Sequence, residues 1–267
     1  MDIRVGFDLG CSCPAITPMV LMLSIHPERH RDLVAAEAQD FDSLEPVHHF
    51  LDACGNICSR VLAPPGEVRF RGSAVVRDHG LPDAVDRSAR EIPVQRLPDD
   101  ALLYLTGSRY CETDALSQAA WNMFGAVTPG WGRVQAICDF VNRHLTFDYA
   151  SARSSRTAAD AFAERRGVCR DFAHLSIALC RSMNMPARYC TGYLGDIGIP
   201  SQPFPMDFSA WFEVFLGGKW HIFDARHNTP RIGRVLMARG RDAADVSLIT
   251  SFGPHQLRRF DVWTDEV

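Results

Sequence analysis

Cys169 lies in the stretch GVCRDFAHLSIALC, where a small Gly-Val step meets a run of apolar residues at helical spacing. One stripe of that run carries Phe172, Leu175, Leu179 and Met183. The spacing predicts a helix that begins at or just after Cys169. A helix start favours negative charge and offers free backbone N–H groups to an oxyanion. A thiol there is a candidate nucleophile for acyl transfer, and the alternative is a small buried hydrophobe, the usual role of a cysteine.

The first part of the chain has a different spacing of apolar residues from the Cys169 region. Residues 1 to about 95 alternate apolar and polar positions in short bursts, which turn residues such as Pro64, Pro65 and Gly66 separate. This pattern is typical of antiparallel strands and predicts an N-terminal β-sandwich-like unit. Pro93 and Pro98 precede a switch to helical spacing. We therefore expect a β-rich domain over residues 1–100 and a core domain over residues 101–267.

Helices and strands that could position Cys169 follow in a fixed order. Apolar residues recur at helical spacing over 113–124 and 132–145. After the Cys169 segment come the strand patterns ARYCTGYLG, AWFEVFLGG and KWHIFDARHN. Gly217 and Gly218 indicate a hairpin between the last two patterns. Helices followed by antiparallel strands predict an α+β fold rather than alternating βαβ units.

The segment GVCRDFAHLSIALCRSMNMPARYCTGY, followed by SAWFEVFLGGKWHIFDARHN, resembles the transglutaminase-like superfamily, in its bacterial branch with a papain-like cysteine core. The residues that carry the resemblance are Gly167, Cys169, Pro186, Ala187, Arg188, Gly192, Tyr193, Ala210, Trp211, Trp220 and Asp224. The resemblance implies a helix carrying the cysteine, packed on an antiparallel sheet. It also implies thiol-dependent acyl transfer or hydrolysis of an amide or peptide bond, with a peptide or protein as substrate.

The resemblance implies a Cys-His-Asp triad. Cys169 would attack the carbonyl, a histidine would take and return the proton, and Asp224 would orient the imidazole. The position of that histidine, before Ala210-Trp211, holds Ser209. Serine cannot act as a base near neutral pH. The residues at the three expected catalytic positions are therefore Cys169, Ser209 and Asp224, and Ser209 does not supply the general base that the resemblance implies.

Three interpretations of Ser209 stay open. In the first, another histidine is the base, and His227 is the nearest candidate; strand alternation turns His221 away, and His174 is a helix-face residue. In the second, the protein is a catalytically impaired pseudoenzyme that binds a peptide or protein. In the third, it is a weak thiol enzyme in which Ser209 and Asp224 only position the reacting groups. Without an imidazolium the thiol is expected to titrate near or modestly below its ordinary pKa of about 8.5.

The composition of the chain limits the classes of binding partner and the location that we expect for the protein. The chain carries 28 basic and 32 acidic residues and has no long basic stripe, so binding to nucleic acid or to a membrane surface is not expected. The apolar run MVLMLSI is too short to span a membrane, and the acidic, mixed start does not read as a signal peptide. We therefore expect a cytoplasmic protein. The arginines between residues 226 and 241 are interpreted as a solvated surface.

Nine cysteines without regular spacing favour reduced thiols over a disulfide framework. Cys11 with Cys13, and Cys54 with Cys58, could in principle hold zinc, but these are not the usual knuckle spacings. We expect neither a metal nor an organic cofactor.

Overall fold

Two antiparallel sheets are built from the N-terminal part of the chain in the computed structural model, which describes residues 1–202 and 205–267. Their first strands are β1 (Asp2–Cys13), β2 (Thr17–Leu21), β3 (Ala38–Phe41), β4 (His48–Leu51), β5 (Ile57–Ala63) and β6 (Gly66–Arg77). One sheet contains β1, β6 and β3, and the other contains β2, β5 and β4. Ile3, Phe7 and Leu9 are fully buried at alternate positions of β1, as a sheet with one face on a core requires. The predicted N-terminal β unit is confirmed.

Five α-helices lie within the described residues. They are α1 (Asp99–Leu102), α2 (Thr113–Phe124), α3 (Trp131–His144), α4 (Ala158–Glu164) and α5 (Cys169–Ser182). The prediction for α2 is matched residue for residue, and α3 lies one residue before its predicted range. Three of these helices, α2, α3 and α4, pack around α5. Every α5 residue from Asp171 to Ser182 is buried, so α5 is the central helix of the core.

A four-stranded antiparallel sheet packs against α5. Its strands are β9 (Ala187–Tyr193), β10 (Ser209–Leu216), β11 (Lys219–Phe223) and β12 (Val235–Gly240), in the order β11-β10-β9-β12. A short parallel pair, β7 (Thr146–Phe147) and β8 (Arg166–Gly167), precedes α5. Gly217 and Gly218 both have positive φ, at 59° and 90°, and form the predicted turn between β10 and β11. The α+β fold with a cysteine-bearing helix on an antiparallel sheet is confirmed.

The last strands of the chain belong to the N-terminal sheets. β13 (Ile249–Ser251) pairs with β2, and β14 (Gln256–Glu266) runs along β1 from Ile3↔Glu266 to Ser12↔Gln256. The boundary expected near residue 100 places all of 101–267 in the core, whereas residues 249–266 extend the β-rich region instead. Pairing between strands so far apart in the chain does not affect the local hydrophobic periodicity. A domain boundary predicted from that periodicity therefore does not include the pairing of β14 with β1.

The β-rich region and the core share buried surface. Tyr193, Val235 and Met237, from β9 and β12, belong to the same apolar cluster as Phe7 and Leu9 of β1. Tyr193 lies on the same face of β9 as Ala187 and Tyr189, which belong to the apolar cluster around α5. The N-terminal strands and α5 therefore cover neighbouring parts of one face of the core sheet.

All nine cysteines lie in the described ranges, and none of them forms a disulfide. Over those same ranges no helix is both long and apolar enough to cross a membrane, and no cluster of three or more potential metal ligands occurs.

Candidate active site

Cys169 occupies the first position of α5, as predicted. The preceding residue, Val168, is extended (φ −106°, ψ 178°), and its backbone N–H donates to the Asp171 carboxylate at 2.9 Å. Asp171 is buried and also accepts from Arg156 Nη1 at 3.1 Å. This ion pair fixes the point at which the chain enters the helix, so the position of the Cys169 thiol is set by buried polar contacts.

A cleft of about 520 Å³ opens in front of Cys169. Its apolar lining comes from both regions of the molecule and includes Leu9, Phe208, Leu257 and Phe260. The C-terminal strand β14 thus supplies one wall of the cleft, although the sequence gives no sign of it. Apolar side chains therefore form part of the cleft wall in front of the thiol, together with charged residues such as Arg170 and Asp207.

The polar neighbours of the Cys169 sulfur are backbone N–H groups and two charged side chains. The N–H groups of Arg170 and Ala210 donate to the sulfur, while Asp207 and Arg226 are the charges that act on it. Burial, followed by the Asp207 carboxylate, raises the pKa of Cys169 to about 11, and Arg226 and the two N–H groups only partly offset this. The thiol is therefore protonated at neutral pH, and its pKa lies above the value expected from the sequence.

Ser209 begins β10 and is 95 % buried, with 5 % of its surface exposed. Ala210 and Phe212 belong to the apolar cluster around α5, whereas Trp211 packs in a different cluster with Cys190 and Leu236. Alternation along the strand therefore turns Ser209 to the face of Trp211, away from α5. The Ser209 hydroxyl makes no hydrogen bond within the described residues. The structure does not bring this hydroxyl to the Cys169 thiol.

Asp224 follows β11 directly and lies beside Trp211 in the register that pairs Phe212 with Phe223. Its carboxylate accepts from Arg234 Nη2 at 2.9 Å and bonds His227 Nδ1 at 2.8 Å. Burial disfavours the ionised form, but Arg234 and His227 together hold the pKa of Asp224 well below its usual range. Asp224 therefore orients an imidazole, but one supplied by position 227 and not by position 209.

The three histidines considered from the sequence occupy different places. His227 lines a small cavity with Ser209, separate from the cleft in front of Cys169. His221 Nε2 bonds the Leu216 carbonyl at 3.2 Å, and His174 Nε2 accepts from the Ala243 N–H at 3.1 Å. His221 and His174 are therefore engaged in backbone contacts. Within the described residues the histidine that lines the Cys169 cleft is His255, which is exposed.

Three further residues lie near the thiol or line the cleft, and the sequence analysis missed them or gave them another role. Asp207 lies near the thiol, and the one feature of the sequence that could have pointed to it is its closeness to Ser209. Arg226 stacks over the Phe147 ring at 3.9 Å and hydrogen-bonds the Tyr149 side chain. His255 follows the short strand β13, and no local motif marks it.

The interpretation of the arginines between 226 and 241 as a solvated surface is wrong for three of them. Arg231, Arg234 and Arg239 are 4–6 % exposed. Arg234 is buried because Asp83 and Asp224 both pair with it at 2.9 Å. From the sequence alone, a run of arginines is expected to be exposed to solvent. Carboxylates from distant segments can pair with these arginines and allow them to be buried.

Comparison with known proteins places this geometry in a family. The sequence profile of the transglutaminase-like superfamily matches residues 118–225, which include Cys169, Ser209 and Asp224. A crystal structure of a candidate cysteine protease from Cytophaga hutchinsonii superposes with a TM-score of 0.85 at 30% identity, covering 99% of this chain and 90% of the other. The chain belongs to the transglutaminase-like superfamily. An uncharacterised protein of Mycobacterium leprae is 24% identical over 205 residues, which are 75% of this chain and 74% of that protein.

The superfamily profile matches only part of the core, whereas the match to the Cytophaga structure extends over nearly the whole chain. The β-rich region is therefore part of the shared architecture and not an addition peculiar to this chain.

Proposed function

We propose that this transglutaminase-like protein binds a peptide or protein segment in the Cys169 cleft and that thiol-dependent acyl transfer there is lost or slow. The observation that carries the proposal is the Asp207 carboxylate beside a half-buried thiol whose pKa is raised to about 11. A protonated thiol is a poor nucleophile, and the loss of a general base costs roughly 10²–10⁴ in rate.

Two observations support a peptide as the occupant of the cleft. The cleft is lined by side chains of several elements, among them Leu9, Tyr189 and Phe260, and the backbone N–H groups of Arg170 and Ala210 bond the thiol that faces it. The structural relative from Cytophaga hutchinsonii is described as a cysteine protease, and a protease cleft accepts an extended peptide.

Turnover tests the proposal. Wild type and Cys169→Ser are incubated with a panel of peptide anilides and glutamine amides, and the released amine is measured. We expect wild type to be no more than slightly faster than Cys169→Ser. Turnover in wild type that exceeds Cys169→Ser by a thousandfold or more would refute the loss of catalysis.

Binding is tested on the cleft itself. Leu257→Arg places a charge in the cleft, and Leu81→Arg is the matched control, because both leucines are exposed, by 49% and 64%. The chain of an unfolded reduced protein, added as an extended polypeptide, should bind wild type and Leu81→Arg equally and Leu257→Arg more weakly. Equal binding to all three would contradict the assignment of the cleft.

A second candidate function is an active thiol hydrolase with a relocated base. The 2.8 Å bond between Asp224 and His227 favours it, because an oriented imidazole is what the triad requires. In that case His227→Ala abolishes turnover as completely as Cys169→Ser, whereas in the proposed function neither variant changes the low rate.

A further inference from the structure

A small cavity of about 50 Å³ adjoins the cleft in front of Cys169. Asp207 and Phe208 line both spaces, so a chain lying in the cleft can extend a group into the cavity. The basic residues along its wall are Arg226, Arg231 and His227.

Arg231 is the first sign that the cavity receives a ligand. It is 4 % exposed, and within the described residues its side chain makes one hydrogen bond, from Nη2 to the Gly195 carbonyl at 2.8 Å. Its Nε has no partner, and it forms no ion pair with a described carboxylate. Arg234, which is equally buried, pairs with Asp83 and Asp224. Asp224 and Asp196 act on the Arg231 charge, but neither pairs with the guanidinium directly. A buried guanidinium with an unpaired Nε is costly, which favours an anion that is supplied from outside the chain.

The Ser209 hydroxyl is an independent sign. It is buried, lines the same cavity, and has no hydrogen-bond partner among the described residues. His227 uses Nδ1 for Asp224, which leaves Nε2 as its second polar atom. Two unsatisfied buried donors and a second arginine, Arg226, therefore meet at one small space.

The size and charge of the cavity limit the ligand. A single water needs roughly 10–15 Å³ of such space, so 50 Å³ admits one small polar group at the end of a chain but not an aromatic ring or a sugar. Asp196 and Asp207 also line the cavity and offset part of the cationic charge. Asp196 is bonded by the Gln202 N–H at 2.7 Å, and burial raises the pKa of Asp207. This balance suits a single negative charge better than the double charge of a phosphate.

We infer that the cavity binds the carboxylate of the molecule that occupies the cleft, with Arg231 and Ser209 as its donors. The inference rests on the proposed function, because a peptide in the cleft is what carries the carboxylate. The carboxylate belongs either to a peptide C-terminus or to an acidic side chain, and both present the same two oxygens to a guanidinium.

Three probes and two variants test the inference by calorimetry. The probes are N-acetyl-phenylalanine, its carboxamide, and N-acetyl-glutamate α-amide; the variants are Arg231→Gln and Ser209→Ala, with Arg71→Gln as the exposed control. Wild type and Arg71→Gln should bind a carboxylate probe about ten- to hundredfold more tightly than the carboxamide. Arg231→Gln should lose that preference, and Ser209→Ala should reduce it. Preference for the first or the third probe distinguishes a C-terminus from an acidic side chain.

Acetate alone tests the cavity without the cleft. It should raise the thermal midpoint of wild type and Ser209→Ala but not that of Arg231→Gln. Without acetate Ser209→Ala should be no less stable than wild type, because it removes a buried donor that has no partner. Equal binding of acid and carboxamide, together with no effect of acetate, would overturn the carboxylate site and leave the peptide cleft intact. An acetate effect that depends on Arg231, with no probe bound, would retain the cavity and refute the proposed function.

Discussion

At the Cys169 end of the site a thiol stands beside the Asp207 carboxylate, whereas at the Asp224 end a carboxylate is bonded by an arginine and a histidine. Burial penalises the charged form of both groups. Asp224 is ionised because Arg234 and His227 compensate for burial, and Cys169 is not, because the Asp207 carboxylate adds to the effect of burial. Positively charged or hydrogen-bonding partners thus stabilise the ionised form of Asp224, whereas the ionised form of Cys169 is not stabilised enough to overcome burial.

The largest effect should come from breaking the Asp224 end. Arg234→Ala leaves two buried carboxylates, Asp83 and Asp224, without their counterion, and should lower the free energy of unfolding by about 3–5 kcal/mol. Urea denaturation measures it. The exposed pair of Arg71 with Asp40 is the control, and Arg71→Ala should cost less than about 1 kcal/mol. If both variants were equally stable, the buried pair would not be what holds this end together.

Acid should act through the same carboxylate. The pKa of Asp224 is depressed in the folded state, so its contribution to stability is present above the ordinary carboxyl pKa of about 4 and is lost as pH falls below that value. Asp224→Asn should be less stable than wild type at pH 7, by about 2 kcal/mol, and the difference should narrow progressively below pH 4. Chemical denaturation between pH 7 and pH 2 checks this, and a gap that stays constant would show that the charge of Asp224 is irrelevant.

A smaller effect is expected at the thiol. Asp207→Asn removes the carboxylate that raises the pKa of Cys169 and should increase its alkylation rate at pH 8 by roughly three- to tenfold. The rate is followed with iodoacetamide and peptide mass mapping. Asp99→Asn, on the exposed start of α1, is the control and should change nothing. An unchanged or slower rate in Asp207→Asn would mean that Asp207 does not control the thiol.

Arg226 should produce the smallest change and the opposite sign. Its charge lowers the pKa of Cys169, so Arg226→Gln should slow alkylation at pH 8 by about two- to threefold. Faster alkylation in Arg226→Gln would indicate that the arginine shields the sulfur rather than acting on its charge.

Sequence reasoning succeeded where the determinants are local. The start of α5 at Cys169, the Gly217-Gly218 turn and the range of α2 each depend on spacing or backbone preference within a few residues. Their positions could therefore be predicted without knowledge of the fold.

It failed where the determinants come from distant segments. Asp207 reaches the thiol from the loop before β10, and β14 closes the cleft by pairing with β1 at the other end of the chain. Arg234 looks like a surface charge until Asp83 and Asp224 are seen beside it. A side chain that turns away from the expected face, as Ser209 does, also needs the packed sheet before it can be recognised.

The pH profile of Cys169 alkylation tests the central claim most directly, since it reports the ionisation of the thiol itself. Mass mapping separates Cys169 from the other eight cysteines. With Asp207 beside the sulfur and no imidazolium paired with it, the rate should climb by about tenfold per pH unit from pH 7 to pH 10, without a plateau at low pH. A rate that stays flat between about pH 5 and pH 8 would contradict the account, and its loss in His227→Ala or in His255→Ala would identify the histidine that activates the thiol.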